Sequence, residues 1–94
     1  MNRQHTNLGP VGQSIARKLQ AAFAPASLEV IDESHRHAGH AGARPGGESH
    51  FRVRIMAEAF RSKSRIEQHR MINGVLSQEI AEGVHALAIQ SAAP

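Results

Sequence analysis

The chain has 94 residues, of which 40% are hydrophobic and 20% are charged, a balance that predicts one small folded domain and excludes a multidomain enzyme. It contains no Cys, which excludes a disulfide scaffold and leaves histidines, carboxylates or a partner's thiols for any metal chemistry. The formal net charge of +3 is compatible with a nucleic-acid or other anionic partner but does not require one. No apolar run approaches the roughly 20 residues of a membrane span, and the start lacks the apolar core of a signal peptide, so we expect a cytoplasmic protein.

The N-terminal part of the chain predicts a tail, a helix and a strand. Residues 1–9 are typical of a flexible tail, and Pro10 suits the first turn of a helix. The helix is expected to end before Pro25, and its apolar residues recur at every fourth position: Val11, Ile15, Leu19 and Phe23. Ser27–Asp32 is rich in aliphatic residues and predicts a short strand.

Residues 34–47 have no hydrophobic period and contain four glycines, one proline and the histidines His35, His37 and His40. This composition predicts a mobile loop between two strands, disordered in the free protein and ordered only by a ligand or partner. A half-buried strand follows, in which the apolar residues at 51, 53 and 55 alternate with Arg52 and Arg54. The two arginines therefore belong to a basic outer face.

The C-terminal half predicts one long helix and a last strand. Ser64 and Glu67 have the spacing of a capping box, and the helix is expected to run to about Glu82 and to stop at Gly83. Residues 84–90 predict a final strand, and residues 91–94 a flexible tail. The order helix, strand, loop, strand, helix, strand predicts an α+β fold whose helices pack on one face of a three-stranded sheet.

One histidine of the predicted second helix is placed where it could bind a metal. An apolar stripe runs along this helix through Ile72, Leu76 and Ile80. His69 falls within the stripe, whereas the side chains at 67 and 68 point away from it. A histidine there is either a core residue with satisfied hydrogen bonds or a metal ligand with one ring nitrogen turned outward. The loop histidines are either polar filler or ligands that a flexible segment brings to a fixed histidine, and we interpret His50 and His85 as structural.

The chain resembles the BolA family in four stretches: residues 28–34, residues 48–53, residues 60–64 running into residues 69–73, and residues 83–89. The likeness extends from about position 14 to position 89, nearly the whole of a domain that we place at residues 10–90. It implies a class II KH-like fold with a mixed three-stranded sheet, in agreement with the order of elements. The family usually has Gly where Ser62 stands and Arg where Gln68 stands, so a positive φ at position 62 would strain the serine.

The resemblance also implies a partnership with a monothiol glutaredoxin around a bridging 2Fe–2S cluster, in iron–sulfur cluster trafficking or in iron or redox sensing. The partner's Cys and a glutathione thiolate would hold one side of the cluster, and histidines of this chain the other side. His69 matches the helix ligand of the family, and His40 is the first choice for the loop ligand, with His37 the second. Neutral imidazoles in place of thiolates remove negative charge and raise the reduction potential of such a cluster.

An alternative function is DNA binding by a transcriptional regulator, as some members of the family are described. It would use the basic residues around the second strand and second helix: Arg52, Arg54, Arg61, Lys63, Arg65 and Arg70. The Gly-x-x-Gly clamp of KH domains is absent before the second helix, so double-stranded DNA would be held through its phosphates and released by salt. We expect no enzyme activity, since no spacing marks a nucleophile or paired carboxylates, and a monomer or weak homodimer in isolation.

Overall fold

Helices pack on one face of a three-stranded sheet in the computed structural model, which describes residues 8–34 and 48–94. In chain order the elements are α1 (Pro10–Phe23), β1 (Ser27–Asp32), β2 (His50–Met56), α2 (Arg65–Val75), α3 (Ser77–Glu82) and β3 (Ala86–Ala92). The central strand β2 pairs antiparallel with β1 and parallel with β3. The predicted α+β fold with a mixed three-stranded sheet is confirmed.

The sequence of α1 accounts for where the helix starts and which of its faces is buried. It starts with proline in its first turn, and Ile15 and Leu19 are fully buried, as the four-residue spacing predicts. Ala24 ends the helix in the left-handed conformation, and its N–H donates to the carbonyl of Gln20. Leu8, which the sequence assigned to a flexible tail, belongs to the hydrophobic core. The packed domain therefore begins before residue 10.

Alternation along β2 separates the core from the outer face of the sheet. The apolar residues at 51, 53 and 55 are at most 3% exposed and face the helices, whereas Arg52 and Arg54 lie on the opposite face. Val53 pairs with Val30 of β1 and with Ile89 of β3, so the core continues across all three strands. The core thus fills the space between one face of the sheet and the helices.

The last strand starts and ends two residues later than predicted. It spans Ala86–Ala92 rather than residues 84–90, and the predicted tail boundary at residue 90 is wrong. Met56 pairs with Ala92, and the N–H of Ala57 donates to the carbonyl of Ala92 at 3.0 Å. These long-range bonds fix residues that have no strand signal of their own.

Both ends of the predicted second helical region are confirmed. At the start, the Ser64 hydroxyl accepts from the N–H of Glu67 at 3.1 Å, and the Glu67 carboxylate accepts from the N–H of Ser64 at 2.8 Å. This hydrogen bond from the Ser64 backbone lowers the pKa of the exposed Glu67 carboxyl. At the far end, Gly83 has a φ of 140°, a conformation that favours glycine.

The helix between these ends is not continuous, which corrects the prediction of a single helix to about residue 82. It breaks at Leu76, where φ is −101° and ψ is 16°. Asn73 and Gly74, both weak helix formers, come shortly before the break. Beyond it, Glu79 of α3 faces α1, where its carboxylate accepts a hydrogen bond from the Ser14 hydroxyl at 2.7 Å.

The buried face of α2 also differs from the predicted stripe. Ile72 is fully buried as expected, but Ile80 is 40% exposed. Gln68 was expected to point away, yet it is 9% exposed. Its amide group donates to the carbonyl of Phe60 at 3.2 Å, and its oxygen accepts from the Ser91 hydroxyl at 2.6 Å. A polar side chain is buried here because the preceding turn and β3 satisfy its hydrogen bonds.

The turn before α2 contains a serine in a conformation that favours glycine. Ser62 has a φ of 66°, in the left-handed region. A residue with a Cβ is strained in that region, so the conditional expectation about position 62 is confirmed.

Candidate metal-ligating site

The histidine-rich segment leaves and rejoins the described structure at one end of the sheet. Ser34, just after β1, is the last described residue before it, and Glu48, just before β2, is the first after it. His37 and His40 lie outside the described residues, as does nearly all of the loop that was predicted to be mobile. The position of the segment's two ends is nevertheless fixed by the residues on either side.

Two buried serines, Ser34 and Ser49, hold these ends together and are termed the loop base. The Ser34 hydroxyl accepts from the backbone N–H of Ser49 at 2.8 Å and from that of His50 at 3.1 Å. The N–H of Ser34 in turn donates to the Asp32 carboxylate at 2.8 Å. Ser34 is 6% exposed and Ser49 is 1% exposed, so water does not compete for these bonds. The separation of the two ends of the segment is therefore set by the fold.

Two further histidines lie at the same end of the sheet. His85 is exposed, and its backbone N–H donates to the carbonyl of Ser49 at 2.6 Å. The ring centroids of His50 and His85 are 5.5 Å apart. His50 is 8% exposed, with its Nδ1 atom 2.8 Å from the hydroxyl oxygen of Ser49, which agrees with a structural role. His85 instead presents an imidazole to solvent beside the loop base.

The sequence analysis interpreted His85 as structural and did not single it out as a candidate ligand. The signal lies in the topology, because β2 and β3 are parallel neighbours and their first residues meet at one edge of the sheet. His50 opens β2 and pairs with Ala86, the first residue of β3. Any histidine that precedes β3 is thereby brought to the ends of the loop that precedes β2.

His69, the first candidate, lies near the other end of the sheet. It is half-buried on α2, and its ring makes no hydrogen bond within residues 8–34 and 48–94. Its neighbour Gln68 bonds to Ser91, which pairs with Ile55 near the end of β2. From His50 to Ile55 the strand rises roughly 17 Å, at about 3.3 Å per residue. The described residues therefore place His69 away from the loop base.

The basic residues of the DNA-binding alternative are divided between two faces. Arg52 and Arg54 lie on the outer face of the sheet, where each is paired with a carboxylate. The Nε atom of Arg52 is 2.9 Å from the Glu33 carboxylate, and Nη1 of Arg54 is 3.0 Å from that of Glu29. Ion pairing reduces the positive charge that this face offers to a phosphate.

The other four basic residues surround the start of α2. Arg61 forms an ion pair with Glu58, and its hydrogen bond lowers the pKa of the Glu58 carboxyl. Lys63, Arg65 and Arg70 are exposed. Half of the six candidates are thus paired and the remainder lie on a different face from Arg52, so the geometry does not favour one continuous DNA-binding surface.

Residues 8–34 and 48–94 contain no group of three or more His, Cys, Asp or Glu side chains arranged to hold a metal ion. In the same part of the chain, no helix is long and apolar enough to cross a membrane. The described residues therefore offer individual donors such as His85. A complete metal site would need further ligands from the histidine-rich segment or from a partner.

The chain is similar to one family model and to several proteins, some of which are named BolA-like. The family model described as BolA-like protein matches residues 19–94. An uncharacterized protein from a Sinorhizobium species is 52% identical over 83 residues, covering 87% of this chain and 89% of that protein. BolA-like protein 1 of Bos taurus is 42% identical over 87 residues, covering 93% of this chain and 62% of that protein. SufE-like protein 1 of Arabidopsis thaliana is 43% identical over 91 residues, which cover only 24% of its length.

Solved structures show the same architecture. The BolA domain of SufE1 from Arabidopsis thaliana has a TM-score of 0.84 and 42% identity, covering 93% of this chain and 95% of that chain. The solution structure of BolA1 from Mus musculus has a TM-score of 0.78 and 42% identity, covering 93% and 68% of the two chains. The chain thus spans about three fifths of the mouse and bovine proteins and about a quarter of the plant protein.

Proposed function

Because the chain belongs to the BolA-like family, we propose that it is a non-enzymatic adaptor that binds a bridging 2Fe–2S cluster together with a monothiol glutaredoxin and glutathione. Such an adaptor acts in iron–sulfur cluster trafficking or in iron or redox sensing. The observation that carries the proposal is an exposed imidazole, that of His85, beside the two ends of a histidine-rich segment. The chain has no Cys, so the thiolates must come from the partner and from glutathione.

His85 is the fixed ligand in this proposal, and His40 is the loop ligand, with His37 the second choice. The backbone bond to Ser49 holds His85 beside the loop base. His40 is six residues beyond Ser34, a stretch that spans at most about 20 Å when fully extended. A loop imidazole can therefore approach His85. His69 is kept as the alternative fixed ligand, which the experiment below distinguishes.

The donor set fits the chemistry of the cluster. Iron–sulfur clusters are normally held by Cys thiolates, and histidine replaces two of them in Rieske centres with a rise in reduction potential. Imidazole carries no negative charge, so two histidines of this chain would make a mixed cluster less negative than one held by thiolates alone. Weaker, neutral ligands on one side also make the cluster easier to release, which suits transfer or sensing.

The test is to mix the protein with a monothiol glutaredoxin, glutathione, ferric iron and sulfide under anaerobic conditions. We expect a visible absorption and circular dichroism spectrum that differs from that of the glutaredoxin cluster alone. His85→Ala and His40→Ala should abolish this difference, whereas His69→Ala, a matched histidine variant on α2, should retain it.

Three results separate the proposal from its alternatives. A wild-type spectrum identical to that of glutaredoxin alone would contradict the shared cluster. Loss of the mixed spectrum in His69→Ala but not in His85→Ala would assign the fixed ligand to α2 instead. If His37→Ala abolishes the difference and His40→Ala does not, the second choice of loop ligand is the correct one.

A further inference from the structure

Strand β3 is an outer strand of the sheet, and one of its edges is unpaired. Within the described part of the chain it pairs only with β2, in a register that is continuous to its last residue. Ala86 donates its N–H to the carbonyl of Ser49. At the other end, the carbonyl of Ala92 accepts from the N–H of Ala57, so every second residue turns its backbone groups toward β2. The N–H and C=O groups that point away from β2 therefore belong to three residues: Leu87, Ile89 and Ser91.

The open edge of β3 lacks the features that normally prevent an outer strand from pairing with another chain. Such strands are typically short or bulged, or they carry lysine or proline. β3 has seven residues, ALAIQSA, without a charge, a proline or a bulge. The other outer strand, β1, contains two acidic residues, Glu29 and Asp32. Of the two outer strands, β3 is therefore the one suited to pair with a further strand.

Apolar side chains along the open edge are only partly covered by the fold. Leu87 and Ile89 are half-buried and pack against the margin of the core. On α2, Met71 and Val75 are half-buried as well. They follow Gln68, whose side chain bonds to β3, at helical spacing, so they lie on the side of α2 that is next to this strand. A strand added to the edge would cover apolar surface and also satisfy the free backbone groups.

The same strand of a second copy fits this edge. Two identical strands related by a two-fold axis pair antiparallel, so that the surface is complementary to itself. With the axis at Ile89, the centre of β3, Ile89 faces its own counterpart and Leu87 faces Ser91 of the second copy. All three residues have outward backbone groups, so each N–H meets a C=O. Like charges do not meet, because β3 has no charged residue.

We propose that β3 pairs antiparallel with β3 of a second copy of this chain, which joins the two sheets into one. Standard dimer interfaces bury about 1,200–2,000 Å², with roughly 20–30 residues on each side. One seven-residue strand and its two apolar neighbours on α2 supply fewer residues than this. The dimer is therefore weak, and its population depends on the protein concentration. The pairing does not depend on the proposed function, since it uses no metal ligand.

Sedimentation velocity of the full chain tests the pairing. Between about 10 μM and 1 mM, we expect the average mass to rise from that of a monomer toward that of a dimer. Ser91→Pro should stay monomeric, because proline removes an outward N–H and places its ring where the second strand would lie. Ser91→Ala is the matched control. Like the proline variant it loses the hydroxyl bond to Gln68, but it keeps the N–H and should associate as wild type does.

Single cysteines give a second test that does not depend on the folding of a proline variant, since the chain has no Cys of its own. In the proposed register the two Cα atoms at position 89 are about 5.5 Å apart, within the roughly 4.4–6.8 Å of a disulfide. Ile89→Cys should therefore form a covalent dimer under mild oxidation. Ala86→Cys is the control: this more exposed position lies about 20 Å from its counterpart, so the variant should remain largely monomeric.

Any of three results would overturn the proposal. They are a wild-type mass that stays monomeric up to about 1 mM, equal association of a folded Ser91→Pro variant and wild type, and faster cross-linking at position 86 than at position 89. If wild type stays monomeric while a glutaredoxin or an extended peptide shifts the amide NMR signals of Leu87 and Ile89, the edge binds a different chain and the second copy is the wrong occupant. Dimerisation with the expected variant pattern supports the pairing whether or not the protein binds a cluster.

Discussion

A buried carboxylate joins α3 to α1, and its replacement by glutamine tests how much stability this junction supplies. Glu79 is 7% exposed, and its Oε2 atom lies 2.7 Å from the Ser14 hydroxyl and 2.7 Å from the Lys18 ammonium. Its Oε1 atom is buried with no hydrogen-bond partner among the described residues. Glu79→Gln keeps the shape of the side chain and removes its charge.

The expected magnitude follows from these contacts. Hydrogen bonds to charged groups contribute about 1.5–3 kcal/mol each. This value must be reduced because the Lys18 side chain is 34% exposed, so water screens its attraction to the carboxylate. It must be reduced again because the unpartnered Oε1 atom already carries a desolvation cost. We therefore expect Glu79→Gln to lower the free energy of unfolding by about 1–2 kcal/mol at pH 7.

The effect should depend on pH in a direction that the structure fixes. Burial acts to raise the pKa of the Glu79 carboxyl, but the hydrogen bonds from Lys18 and Ser14 and the charge of Lys18 outweigh it, so the pKa lies below its usual value. The unfolded chain therefore takes up this proton at a higher pH than the folded protein does. The stabilisation is complete above the unfolded pKa, about 4.3, and is lost as the pH falls through the folded pKa.

The assay is urea unfolding at pH 7 and pH 3, followed by far-ultraviolet circular dichroism because the chain has no Trp or Tyr. The difference between wild type and Glu79→Gln should be full at pH 7 and smaller at pH 3. Glu58→Gln is the matched control, since that carboxyl also has a lowered pKa but faces solvent, and no measurable change is expected. Equal stability of Glu79→Gln and wild type at pH 7, or the same difference at both pH values, would refute the reasoning.

Two further substitutions test the backbone and the core. Ser62 has a φ of 66°, so Ser62→Gly should raise the free energy of unfolding by about 1 kcal/mol and the melting temperature by roughly 4–8 °C. Ser62→Ala keeps a Cβ atom and should bring no such gain. A lower melting temperature for the glycine variant would contradict this expectation. Leu76 is 1% exposed, so Leu76→Ala should lower the free energy of unfolding, measured in urea, by about 2–5 kcal/mol. A loss below about 0.5 kcal/mol would mean that the buried face of the helix is assigned wrongly.

The sequence predicted those elements whose signal is local. The four-residue spacing and Pro10 were sufficient for α1, the alternation at 51, 53 and 55 for β2, and the serine–glutamate spacing for the start of α2. The break at Leu76 and the end of β3 could not be predicted this way. Asn73 and Gly74 weaken the helix near the break but do not fix where it falls, and beyond it Glu79 bonds to Ser14 of α1. At the end of β3, the carbonyl of Ala92 accepts from the distant N–H of Ala57. Periodicity contains no information about which distant residue will supply a hydrogen bond.

The lack of long-range information in the sequence also explains why His69, and not His85, was predicted as the fixed ligand. The prediction of His69 rested on its place in an apolar helix stripe, which is a local property, and on its match to the helix ligand that the family resemblance implies. The position of His85 depends on the parallel pairing of β2 with β3, which brings the start of both strands to the loop base. The roles of His37 and His40 stay predictions, since both lie outside the described residues. Topology, rather than composition, decides which imidazole lies close to the ends of the loop.

Gln68 shows how a polar residue can belong to a buried face, and its contribution can be measured. Gln68→Ala would leave the carbonyl of Phe60 and the hydroxyl of Ser91 without this partner, so we expect a loss of about 1–3 kcal/mol in urea unfolding. Gln68→Arg restores donors to the carbonyl, and the Ser91 hydroxyl can turn to accept, so this variant should be more stable than the alanine variant. Gln78→Ala, an exposed glutamine on α3, is the control and should change stability by less than about 0.5 kcal/mol. If Gln68→Ala is as stable as Gln78→Ala, the hydrogen bonds of Gln68 do not stabilise the fold, and its burial merely follows from the packing of α2.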